Sequence, residues 1–264
     1  MKTHFLALTA LLLPTLAGAE EWIEGFTEPN RTIQVASAET GLVTNVLVQE
    51  GDHVRAGQPL ATLDDELQRV QFDLARKQVE FKGRYRTAQA ELQLHQRRFD
   101  KLLELRRAGQ AHQEELERTR TDLQAAEGKV LADEEEQALL RLQADRAKIQ
   151  LDRRTITAPI DGVILDVTKH PGEFLSPASA QVLTLAELSP LKAVFLLPRT
   201  QAVKLRPQQP ARVKFGDGPQ AIVGQVVFVS EVTDAQSGLV TVKIRLDNAA
   251  REIRSGERCR LEVR

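Results

Sequence analysis

The sequence predicts a mixed α and β protein: a β-sandwich split by an inserted antiparallel helical hairpin, then a small antiparallel β-barrel. Three observations predict it. Residues 65–154 carry apolar side chains at alternating three- and four-residue steps over many heptads, the pattern of a coiled coil. The segments flanking that stretch repeat one another. Beyond them, Val240, Val242, Ile244 and Leu246 alternate with Thr241, Lys243, Arg245 and Asp247, as a half-buried antiparallel strand requires.

In chain order, the first nineteen residues read as an export signal. Lys2 supplies the positive end, an apolar run follows, and Ala17-Gly18-Ala19 is a small-residue cleavage site. The apolar run is short for a bilayer span. No Cys follows it, which excludes a lipoprotein anchor. A mature protein starting near Glu20 and located in the periplasm is expected.

Residues 20–64 hold a short polar lead and then a β-rich block, broken by turn signals at Gly41, Gly51-Asp52 and Gly57-Gln58-Pro59. A second β-rich block covers residues 155–187, broken at Pro159, Gly162 and Pro171-Gly172. Gly41-Leu-Val-Thr-Asn-Val46 matches Gly162-Val-Ile-Leu-Asp-Val167, and Gly51 and Gly172 each follow ten residues later. Leu60-Ala-Thr-Leu63 matches Val182-Leu-Thr-Leu185. A repeat split by a long insertion implies that neither half buries its apolar face alone: Val43, Val46 and Val48 need Val163, Leu165 and Val167.

The inserted stretch reads as two antiparallel helices. Leu67, Leu74, Phe81, Ala88, His95 and Leu102 recur at a strict seven-residue interval, with Tyr85, Leu92 and Phe99 completing the seam. Leu116, Leu123, Val130, Ala144 and Leu151, beside Ala126, Leu140 and Ala147, form the returning arm. Gly109 and Gln110 break the pattern near its midpoint. Arms of roughly 43 residues reach about 65 Å at 1.5 Å per residue. The carboxylate runs Glu114-Glu115 and Asp133-Glu134-Glu135-Glu136 read as a solvated helix face.

Residues 188–264 form the barrel, with further strands expected near 191–197, 211–215, 221–229 and 258–263, and a short helix within 198–205. Cys259 alternates with Leu261 and Val263 and reads as a core residue; as the single cysteine it excludes an internal disulfide.

Charged residues make up 28% of the chain but balance to −1, which gives no reason to expect nucleic acid as a partner. His53, His95, His112 and His170 show no ligand spacing, and there is no nucleophile elbow or phosphate loop. No catalytic residue, metal or cofactor is expected.

The order of these pieces, with Gly51-Asp-His-Val-Arg-Ala-Gly-Gln-Pro-Leu60, Ile156-Thr-Ala-Pro-Ile-Asp-Gly-Val163, Leu246-Asp-Asn248 and Ser255-Gly256, resembles the periplasmic adaptor proteins of bacterial tripartite efflux pumps, the HlyD-like membrane fusion proteins. The resemblance implies that the split sandwich is lipoyl-like. It implies an inner-membrane pump and an outer-membrane TolC-type channel as partners, bridged by adaptors self-associated into a ring. The cleavable signal favours an RND-type pump; an ABC-type exporter or a type I secretion system is the alternative. Family members often build a fourth, membrane-proximal domain from both chain ends, and here it is expected to be absent. Adaptors that dock on such channels resemble one another at the hairpin tip, with Arg, then Leu four residues later, then Ser seven after that. This chain offers Lys101, Leu105 and His112 at those spacings, which marks them as partner-binding candidates. A remoter alternative is a lipoyl or biotinyl carrier, whose modified Lys sits at the turn between half-motifs; Leu63-Asp64-Asp65 occupies that turn here.

Overall fold

A computed structural model describes residues 21–216 and 221–263. The expected export signal, residues 1–19, lies outside the described residues. In chain order the elements are β1 (Glu21–Ala36), β2 (Gly41–Val46), β3 (His53–Val54), β4 (Pro59–Leu63), α1 (Glu66–Glu80), α2 (Gly83–Arg107) and α3 (Gln113–Asp152). There follow β5 (Thr155–Thr157), β6 (Gly162–Val167), β7 (Phe174–Leu175), β8 (Gln181–Pro198), α4 (Arg199–Ala202), β9 (Pro210–Phe215), β10 (Ala221–Thr233), β11 (Leu239–Leu246) and β12 (Arg258–Val263). They fall into two compact units: Gln34–Leu185, and the residues up to Ile33 together with those from Ala186 onward.

In the first unit the repeat becomes an exchange of strands. Short β3, from the first half, pairs with β6 of the second, His53 opposite Val163. Reciprocally, β7 of the second half pairs with β2 of the first, Gly41 opposite Leu175. The hydrogen bonds obey the same symmetry: Gly51 N donates to Ile164 O and Gly172 N to Val43 O, both at 2.8 Å. Gly51 and Gly172 sit at φ of 89° and 91°, a backbone conformation in which a Cβ is strained. Asp161 adds a further tie, its Oδ1 accepting from Ala56 N at 2.7 Å across the two halves. Both halves supply the core, Val43, Leu60 and Leu63 from the first and Ile164, Leu175, Val182 and Leu185 from the second, but the expected row of Val163, Leu165 and Val167 is not the buried one: Leu165 is 48% exposed.

The hairpin leaves this sandwich between β4 and β5. Those strands pair antiparallel, Thr62 opposite Thr155, and Leu63 N donates to Arg154 O at 2.8 Å. Both ends of the insertion therefore start from one point. The returning arm α3 is unbroken for 40 residues. Leu116, Leu123, Ala126, Val130, Leu140, Ala144, Ala147 and Leu151 all face inward along it. In α2, Tyr85, Ala88, Leu92, His95, Phe99 and Leu102 face them.

The outgoing arm departs from expectation. It is two helices, interrupted at Phe81 and Lys82, where Phe81 is extended (φ −75°, ψ 97°). The two-residue interruption shifts the phase of α1 by one position. Leu67, Leu74 and Phe81, expected in the seam, are 63%, 61% and 71% exposed. Phe72, Ala75 and Val79 take their place, with Gln68. The acidic run is also not uniformly solvated. Asp133 is only 5% exposed and pairs across the arms with Arg84 at 3.3 Å, while Glu136 meets the same guanidinium at 2.7 Å. Its position continues the three-and-four spacing between Val130 and Gln137, which carries its side chain into the seam.

In the second unit, β1-β12-β9-β10-β11-β8 are neighbours in order, and β1 also pairs with β8, closing a six-stranded ring. Its core is Phe195, Leu197, Val213, Val226, Val242, Ile244, Leu246, Cys259 and Leu261. Burial pushes the Cys259 thiol up to about 12, so it is chemically quiet. Asn248, from the Leu246-Asp-Asn248 motif, is buried and donates to the carbonyls of Leu188 and Ile253. The stretch read as a polar lead is β1, which pairs with β12 from Glu21 opposite Val263 to Phe26 opposite Arg258. Its inward positions include Gly25 and Thr27, so the alternation lacks the apolar residues that announce a strand. Thr27 is buried and donates its hydroxyl to Arg254 O at 2.6 Å. A Cβ on Gly25 would collide with the Phe195 ring and the Val194 carbonyl. Gly25→Ala is expected to destabilise the barrel by about 1–3 kcal/mol through overpacking, read from denaturant unfolding; an unchanged midpoint would show that the two strands separate freely.

Candidate functional site

The far end of the hairpin is built by two helix termini. The last turn of α2 closes as a Schellman motif, with Gln110 N donating to Leu105 O at 2.8 Å and Gly109 N to Arg106 O at 3.0 Å. Gly109 at φ 74° supplies the left-handed residue this cap requires. Arg106 Nη1 then reaches over to the Ala111 carbonyl at 3.2 Å. The termini are charged in the sense that opposes each helix dipole: Arg106 and Arg107 end α2, Glu114 and Glu115 begin α3. The tip is thus a short, internally hydrogen-bonded turn.

Lys101 and Leu105 lie one turn apart on α2 and line one groove of about 390 Å³, together with Leu94, Leu102, Arg97 and Arg98. Leu105 is half-buried, offering part of its side chain to the surface. Lys101 is exposed and pairs with Glu104, at 3.5 Å one turn on, a surface pair worth about 0–1 kcal/mol. His112 is not a lining residue of this groove. It is the exposed N-cap of α3, in an extended conformation (φ −83°, ψ 150°), and its side chain makes no capping hydrogen bond. Ser in its place would accept from a free N–H of the first turn, which stabilises a helix start by about 0.5–2 kcal/mol relative to a non-capping residue.

Arg97 and Arg98 were not singled out from the sequence. They stand four and three residues before Lys101, hence on one helix face with it, and that spacing is the signal that identifies them. The result is a shallow, open groove that combines apolar side chains with a basic rim. Elsewhere, no group of three His, Cys, Asp or Glu side chains among the described residues could hold a metal ion. Among the described helices none is long and apolar enough to cross a membrane. Asp64 and Asp65 link β4 to α1, the turn a carrier lysine would need.

The family model for the barrel-sandwich hybrid domain of YknX matches residues 33–183. The multidrug resistance protein MdtA of Klebsiella pneumoniae subsp. pneumoniae is 28% identical over 225 residues, covering 82% of this chain and 52% of that protein. MdtA of Escherichia coli O45:K1 is 26% identical over 225 residues, with 82% and 51% covered. The chain spans about half the length of these curated relatives. Among solved structures, MacA from Actinobacillus actinomycetemcomitans superposes with a TM-score of 0.66 at 18% identity, over 93% of this chain and 79% of that one. The membrane fusion protein Spr0693 from Streptococcus pneumoniae R6 gives 0.58 at 16% identity, over 92% and 98%. At these identities the structural likeness shows the fold.

Proposed function

The chain belongs to the membrane fusion, or periplasmic adaptor, family, and from that premise we propose that it is the adaptor of a tripartite efflux pump in the periplasm, bridging an inner-membrane transporter of the RND type and a TolC-type outer-membrane channel. The name of the MdtA relatives, multidrug resistance protein, supports export of small compounds. Several copies would surround the channel as a ring, in which weak contacts gain from avidity.

The observation that carries this reading is the hairpin tip. Starting from the sandwich, α3 alone runs 40 residues, about 60 Å at 1.5 Å per residue. A rigid arm of that length ends in a capped turn with Lys101 and Leu105 in one basic-rimmed apolar groove. We assign that groove to helix-against-helix docking on the channel. Leu105 fills the contact, Lys101 pairs with a carboxylate on its rim, and His112, at the N-cap position of α3, stands outside it.

Burial of one leucine contributes about 1.5–3 kcal/mol, so each contact is weak and the ring multiplies its loss. Leu105→Asp is expected to abolish transport in cells that supply the pump and channel, with expression, export and unfolding midpoint close to the parent. Lys101→Ala should weaken transport, and His112→Ser should leave it intact. Full transport by Leu105→Asp would remove the tip from the mechanism.

A further inference from the structure

We propose that α1 has two registers against α3, and that the break at Phe81 and Lys82 is the joint between them. In the register observed, Phe72, Ala75 and Val79 fill the seam and Leu67, Leu74 and Phe81 lie outside it. Yet the outer row is the one in phase with Ala88, His95 and Leu102, at an unbroken seven-residue interval. If Phe81 and Lys82 became helical, α1 and α2 would form one continuous helix. The seam would then run Leu67, Leu74, Phe81, Ala88, His95, Leu102. That change turns α1 by about 100°, one residue's rotation, about its own axis. The entering set is larger than the leaving one by about four carbons, which favours the continuous helix, while Gln71 and Gln78 would come to the seam where only Gln68 leaves it, which opposes it.

What holds the observed register is polar and local. The carbonyl of Phe81, released from helical bonding, accepts from Gln137 Nε2 at 3.1 Å. Arg84, two residues past the joint, is held by Asp133 and Glu136. Tyr85 donates its hydroxyl to Glu134 at 3.1 Å. The latch is incomplete: Asp133 Oδ2 and Gln137 Oε1 are buried with no hydrogen-bond partner, although both stand at seam positions. A buried carboxylate with one oxygen unsatisfied raises the energy of the state that contains it. An apolar gain in one register, set against polar ties that hold the other, makes a two-state element. Because α1 follows directly from β4 through Asp64 and Asp65, rotation of α1 links the sandwich to the long arm.

The test uses single reporter thiols in the full chain, Leu74→Cys or Ala75→Cys, with Cys259 left in place because it is buried and unreactive. Alkylation rates are compared in the parent and in three backgrounds. In the parent, position 74 should react at least about tenfold faster than position 75, following their exposure. Gly83→Ala adds a methyl that meets nothing within 4 Å and favours a helix through the joint, so the 74-to-75 rate ratio should fall several-fold. Adding Asp133→Leu removes one of the ties on Arg84 that hold the observed register and should lower the ratio further. Lys82→Pro should keep or widen the parent ratio, since proline requires the preceding Phe81 to be extended, as it is. Helix content by circular dichroism is recorded for each. Should the double variant lose its helices, Gly83→Ala decides alone. A ratio within twofold of the parent in folded Gly83→Ala overturns the proposal, as does protection of both thiols in every background.

Discussion

Expressed alone, residues 20–65 will be an unfolded peptide, whereas the full chain with residues 67–153 replaced by a short Gly/Ser turn will fold. The first half contributes β2, β3 and β4; β3 finds its partner only in the second half, on β6, and β2, paired with β4 on one edge, needs β7 of the second half on the other. Without that half, Val43, Leu60 and Leu63, all essentially inaccessible in the structure, face water. Leaving each exposed forfeits about 1.5–3 kcal/mol, a sum no fragment of this size can lose against a net stability of about 5–15 kcal/mol. The deletion is tolerated because β4 and β5 are already paired where the hairpin leaves, Thr62 opposite Thr155. A two-dimensional amide spectrum decides it. Good dispersion from the isolated fragment would make the halves independent.

Leu123→Asp is expected to destabilise the hairpin by about 3–5 kcal/mol, because it buries an unpaired carboxylate at a tightly packed seam position, Ala126 and Ala88 being buried in the same seam. Leu123 is 7% exposed. Leu74→Asp, at an equally regular heptad position, should cost under about 0.5 kcal/mol, since Leu74 is largely in solvent. Thermal unfolding of each variant supplies the comparison. Equal losses at both sites would put Leu74 in the seam and make the interruption at Phe81 a minor feature.

The difference between these two leucines marks what periodicity carries and what it does not. Along α2 and α3 the seven-residue rows identify the inward faces, because those helices run without interruption. In α1 the same row points outward. A helix break resets the phase, and nothing in Phe81-Lys82-Gly83 beyond one glycine announces it. Asp133 was hidden for a related reason: within four consecutive acidic residues its seam position is visible only when the returning arm's spacing is followed across it. The strand β1 was obscured because Gly25 and Thr27 occupy inward positions, where close approach and hydrogen bonding replace apolar bulk. The split sandwich was readable, since its turns demand glycine at two equivalent points and its strands repeat in composition. At the tip, the spacing of Lys101, Leu105 and His112 carries no information on which of them share a surface. Helix geometry joins the first two with Arg97 and Arg98 and leaves the third as a cap.

The pairing of β4 with β5 also bears on how the chain finds its fold. The two halves of the sandwich are separated by about 90 residues. If that segment were a flexible coil, bringing its ends together would cost about 4 kcal/mol of chain entropy before any strand could be exchanged. A helical hairpin forms from local contacts, which makes it quick, and its two arms return the chain to its starting point. Once α2 and then α1 have zipped onto α3, Leu63 and Thr155 meet as near neighbours in space. The slowest step of a split β domain, the search of one half for the other, thereby becomes the closure of a short turn. The arm that extends away from the sandwich is also the device that assembles it.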